Sequence, residues 1–135
     1  MMSVKVVVLI PILLLVMTSC EEDGSSMVDI NAPSIKVEFP TNESFGRPGD
    51  TVFIRAVITD ESKIRKGSVH IHDQFVESPF DTVFVYQFRV DERSLKLDTF
   101  WIPNSPFDKN YDIFLDATDY ADNYRQKKLT IYVYH

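Results

Sequence analysis

From Pro33 onward the chain alternates apolar and polar residues with a period of two, which points to β structure and little else. Thr51 to Thr59 sets Val52, Ile54, Ala56 and Ile58 on one side. Ile35, Val37 and Phe39 alternate with Lys36 and Glu38, and Leu129, Ile131 and Val133 alternate with Thr130, Tyr132 and Tyr134. Successive side chains on a strand point to opposite faces, so each run carries one apolar face that another layer must cover.

Seven such runs are legible: 35–39, 51–59, 68–76, 82–90, 95–102, 111–118 and 125–134. Turn chemistry separates them. Gly46, Pro48 and Gly49 lie in a loop over 41–50, and Asp60-Glu61-Ser62 reads as a turn. Pro79 and Asp81 break the chain before Thr82, and Asp91 to Ser94 reads as another turn. Pro103 ends a strand, and Asp119 to Asn123 forms a polar loop. No stretch of ten residues reads as a helix. The spacing predicts an all-β domain, an antiparallel β-sandwich of about seven strands over 33–135, with a small closed barrel as the alternative.

The N-terminus sets the expected compartment. Lys5 precedes an apolar run from Val6 to Met17, too short for the roughly 20 residues that a spanning helix needs and interrupted by Pro11. These are the features of a secretory signal peptide. Met17-Thr18-Ser19-Cys20 resembles the lipobox of bacterial lipoproteins, with Met17 where Leu or Val is commoner. The resemblance implies cleavage of residues 1–19 and lipid attachment at Cys20. Cys20 is the sole cysteine, so it joins no internal disulfide. Glu21-Glu22-Asp23 resembles the surface-export signal of Bacteroidota lipoproteins and implies the outer face of the outer membrane. Residues 20–32, with Gly24-Ser25-Ser26, read as an acidic flexible tether.

Cleavage would leave 116 residues (135 less 19), enough for one domain. Loss of Lys5 leaves thirteen cations against twenty acids, a net charge of −7. That balance disfavours nucleic acid and anionic headgroups as partners, so the membrane link would be the lipid.

Four groups of residues could carry function. His70 and His72 lie two apart on one strand face and could share zinc or copper, or simply sit on a solvated face. Asp60, Asp116 and Asp119 lie in or beside two acidic turns and could offer oxygens to calcium, although Asp and Asn also serve turns directly. Asp50-Thr51-Val52 and Asp81-Thr82-Val83 resemble the O-glycosylation acceptor of exported Bacteroidota proteins, at Thr51 and Thr82; Asp98-Thr99-Phe100 is a weaker match. Phe84, Tyr86, Phe88, Phe100 and Trp101, with Tyr132 and Tyr134, exceed what one inner face needs, so an outward strip could meet sugar rings or a protein partner, or the rings could serve as core on both sides of a twisted sheet. No nucleophile is matched to a base and no phosphate loop is present, which argues against an enzyme and against a cofactor.

Two segments carry a wider resemblance. Asp116-Ala117-Thr118-Asp119-Tyr120-Ala121-Asp122-Asn123 resembles the last inter-strand turn of bacterial immunoglobulin-like domains, with Asp122 in place of the usual glycine. Thr59-Asp60-Glu61-Ser62-Lys63-Ile64 resembles an earlier turn of the same domains. The whole chain is similar to a Bacteroidota family of small lipoproteins of unknown function with an immunoglobulin-like domain. That family's third strand carries a histidine cluster; here only His70-Ile71-His72 remains before Asp73-Gln74-Phe75-Val76-Glu77. The resemblance implies a lipid-anchored envelope module that binds or supports a protein or glycan partner, with a metal-binding lipoprotein as the alternative.

Overall fold

The alternating rows become six strands in the computed structural model, which describes residues 28–77 and 80–135. The leader, Cys20 and Glu21-Glu22-Asp23 lie outside the described residues. The strands are β1 (Ser34–Phe39), β2 (Ser44–Gly46), β3 (Val52–Asp73), β4 (Thr82–Trp101), β5 (Lys109–Asp119) and β6 (Tyr124–Val133). No helix occurs among the described residues.

Two expected turns do not end their strands. Residues 60–62 and 91–94 lie inside β3 and β4, so four of the seven expected runs merge into one long antiparallel hairpin. The ladder pairs Thr59 with Ser94 and resumes with Ile64 opposite Glu92, so four residues of β3 stand against Arg93 alone. The turn chemistry is nonetheless present. The Asp60 carboxylate accepts the Ser62 N–H at 2.8 Å, and Lys63 adopts φ +77°. Extra residues on one strand bend it and increase its twist, so the hairpin folds over instead of stopping.

That bend divides the pairing. Residues 55–59 of β3 pair with β1, and 52–59 with the C-terminal half of β4. Beyond the bend, 64–73 pair with the N-terminal half of β4 and with β5, which is followed by β6. β2 forms within the expected 41–50 loop and runs parallel to β6, Phe45 opposite Tyr132.

The buried rows of both halves meet in one core. Ile54 and Ala56 come from before the bend, Val69 and Ile71 from after it. They join Ile113 and Leu115 of β5 and Leu129, Ile131 and Val133 of β6. Trp101 and Tyr111 close this core edge to face, their ring centroids 4.7 Å apart. Burying each large aliphatic side chain contributes about 1.5–3 kcal/mol. Ile58, Ile64 and Ala117 form a smaller cluster at the bend.

The registers give the domain two ends. At one lie the β3 bend, the β5–β6 turn and the incoming segment 28–33. At the other lie the end of β1, β2, and the β4 and β6 termini. β5 has 11 residues and runs between them, which sets them about 35 Å apart.

Candidate functional site

The end at which the incoming segment 28–33 enters collects three carboxylates. Asp29, Asp60 and Asp119 each offer an oxygen, and these atoms lie within 4.8 Å of one another. Asp60 sits in the β3 bend and Asp119 closes β5. Asp29 belongs to the segment read as tether, yet it is built into the domain. Its main-chain oxygen accepts Asn123 Nδ2 at 2.9 Å, and its carboxylate pairs with the Ser62 hydroxyl. Pro33 is fully buried, so ordered structure begins ahead of the first alternating run. Asp119 is also fully buried and accepts both the Asn123 N–H and Nδ2, each at 2.8 Å. That amide thus links the β5–β6 turn to the incoming chain.

Sequence reasoning missed Asp29 because it carries no apolar periodicity. The one available signal was Asp29-Ile30-Asn31 ahead of Pro33; Asp29 accepts the Asn31 N–H at 2.8 Å.

Asp116 does not join this cluster, which corrects the grouping of Asp60, Asp116 and Asp119. Positions 116 and 119 are three apart, an odd spacing, so on β5 they face opposite sides. Asp116 lies on the outer face, where it accepts the Ser68 hydroxyl at 2.6 Å.

Burial pushes the Asp60 carboxyl above its ordinary value. The Ser62 N–H opposes that rise, and the charges of Asp119 and Asp29 add to it. The ionised form is therefore the costly one in the fold. The cost is present at neutral pH and fades as pH falls through the folded value. Asp60→Asn keeps an oxygen for Ser62 and removes the charge. In chelator-treated buffer it should melt a few degrees above the parent at neutral pH and converge with it near pH 4, by calorimetry.

His70 and His72 share the outer face with Asp116, as their spacing predicts, and their rings lie 6.2 Å apart. Each has its own partner. His70 Nε2 meets Ser68 Oγ at 2.7 Å, and His72 Nδ1 meets Asp81 at 3.0 Å. Among the described residues neither histidine belongs to a three-ligand group. His135 is engaged by Asp108 at the far end.

The far end is apolar. Phe39, Phe45 and Phe53 border a cleft of about 240 Å³ whose floor includes Ile131. Phe45 is 75% exposed and Phe107 70%, with Phe100 and Ile102 also open to solvent. Phe45 packs at 5.3 Å on Tyr132, which stacks on Tyr134. Thr51 lies on the rim of the cleft and Thr82 begins β4, both exposed.

Two solved structures share this fold. The fibronectin(III)-like modules of CbhA from Clostridium thermocellum match with a TM-score of 0.51 at 14% identity, over 76% of this chain and 46% of that one. OgpA from Akkermansia muciniphila matches with a TM-score of 0.52 at 16% identity, over 76% of this chain and 29% of that one. The chain spans less than half the length of either. No curated protein matches the sequence. Residues 18–134 match DUF4625, a domain of unknown function, and the chain belongs to that family.

Proposed function

We propose that this protein is a lipid-anchored, non-catalytic module of the bacterial cell envelope whose far end receives a protein or glycan partner. The observation that carries this reading is the crowding of exposed phenylalanines at the end opposite the incoming segment. Contiguous exposed apolar surface on a small domain marks an interaction site. The lipid on Cys20 would hold the acidic end toward the membrane and present the aromatic end outward. The fold is read as a two-layer sandwich, supported by the core shared between the two halves of the bent hairpin.

Two measurements test this. Cys20→Ala should release the protein from the membrane fraction or leave an uncleaved precursor. Photo-crosslinking residues at positions 45 and 107 should yield adducts in the native envelope, while one at exposed Tyr120, on the anchored end, should not. Equal adducts from all three positions would sink the proposal. The calcium reading continues in altered form, with Asp29 in place of Asp116. Calcium chloride should then raise the melting temperature of the parent and not that of Asp60→Asn.

A further inference from the structure

The outer face of the β3–β5–β6 sheet carries an open cavity of about 330 Å³, separate from the cleft at the far end. Its lining is His70 and His72 of β3, Phe114 and Asp116 of β5, and Tyr124 and Gln126 of β6. The ladders gather these residues: Ser68, Asp116 and Gln126 stand in one cross-strand row, and His70 and Phe114 in the next outward-facing one. The volume lies at the small end of the range of small-molecule sites, about 300–1,000 Å³.

The hydrogen bonds around the cavity fix what its lining offers. The Ser68 hydroxyl has one proton and gives it to Asp116 at 2.6 Å. It therefore accepts from His70 Nε2, 2.7 Å away, which leaves Nδ1 of the neutral ring as a bare acceptor. His72 Nδ1 donates to the Asp81 carboxylate at 3.0 Å, so its Nε2 is bare as well. Asp116 keeps its second oxygen, Oδ1. Gln126 donates through Nε2 to the Tyr124 hydroxyl at 3.0 Å and keeps Oε1. None of these four acceptors has a partner among the described residues. Tyr124 supplies a donor, since partial burial and the Asp116 charge hold its phenol above the ordinary value and the proton stays on.

Four acceptors, one of them a carboxylate oxygen, suit a ligand that brings hydroxyl protons and no negative charge. Among the described residues no lysine or arginine lines the cavity to receive an anion. A cationic ligand is disfavoured too, because Lys128 already stands over the Phe114 ring, 5.6 Å from its centroid. The acceptors are too spread for one metal ion, as no three of them form a group within 4.8 Å. Tyr124 is 55% exposed and offers ring surface to an apolar C–H face. A sugar ring combines such a face with a rim of hydroxyls.

We infer that this cavity binds one neutral pyranose unit of a glycan, with Tyr124 against its C–H face and His70, His72, Asp116 and Gln126 accepting its hydroxyl protons. The site is apart from the aromatic end, so the inference does not rest on the function proposed above.

Saturation-transfer NMR on the full chain in chelator-treated buffer tests this, with the methyl glycosides of glucose, galactose, mannose and N-acetylglucosamine as probes. At least one should take up saturation at millimolar concentration, and anionic N-acetylneuraminic acid should take up none. Tyr124→Ala and Gln126→Ala, both at exposed positions, should each weaken that binding about tenfold with little change in melting temperature. Phe45→Ala, at the far end, should leave it intact. Absence of saturation in all four glycosides overturns the inference. So does a signal that survives Tyr124→Ala and is lost in Phe45→Ala, or an equal response to the anionic sugar. A response that appears only when zinc is added would give the histidines to a metal and overturn it as well.

Discussion

Gly67→Ala should be among the most damaging single substitutions in this domain, lowering stability by about 3 kcal/mol or preventing folding altogether. A Cβ at position 67 would lie 2.1 Å from the Asp116 carbonyl oxygen and 2.4 Å from Phe88 Cζ. The carbonyl belongs to the β5 backbone, directly beside the Gly67–Ala117 pair of the ladder, and cannot withdraw without breaking that ladder. The Phe88 ring lies over the glycine from the β4 side. The residue is required here for space. Denaturant titration measures the effect, and Phe88→Leu in the same chain separates its two parts. Relief of the ring contact should recover only a fraction of the loss, because the carbonyl contact remains. An unchanged midpoint for Gly67→Ala would mean that β3 and β5 do not approach as described.

The second large effect is expected at Asp73. This carboxylate is 4% exposed, accepts the Phe75 N–H at 2.9 Å and pairs with the Lys109 ammonium. It sits where β3 ends, and its own N–H donates to the Asp81 carbonyl at 2.7 Å across the base of the β3–β4 connection. Asp73→Ala strands a mostly buried ammonium and an unpartnered N–H, which should cost about 3–5 kcal/mol. Replacing both partners, as Asp73→Leu with Lys109→Met, should cost less than Asp73→Ala alone, because no charge is left unpaired. Thermal melts of the three chains decide this. A double variant weaker than the single would show that the ion pair itself holds the hairpin base.

Much of the fold was legible because side-chain period and burial agree. The rows at 35–39, 111–118 and 125–134 became β1, β5 and β6 nearly as read. The turns at 60–62 and 91–94 misled because local chemistry was mistaken for chain reversal. Asp60 does make its short-range bond to Ser62, but ladder pairs persist on both sides, and the extra residues are absorbed as a bend. β2 escaped notice because three residues are too few to show a period. At the carboxylate cluster, the misplacement of Asp116 was avoidable, since an odd separation along a strand excludes a shared face. Asp29 could not be reached in this way; its position depends on Asn123, 94 residues away.

The same bond from Asn123 to Asp29 has a mechanical meaning. Tension arriving along the polypeptide from residues before Asp29 does not fall first on β1, whose short antiparallel edge could be peeled one hydrogen bond at a time. It falls on the Asn123 amide and the Ser62 hydroxyl, and through Asn123 on the buried Asp119. Those groups hang from the β5–β6 turn and the β3 bend, the two places where the domain's longest ladders converge. A drag on the outer end would thus be borne by the middle strands together, and the edge would be shielded until that small clasp gave way.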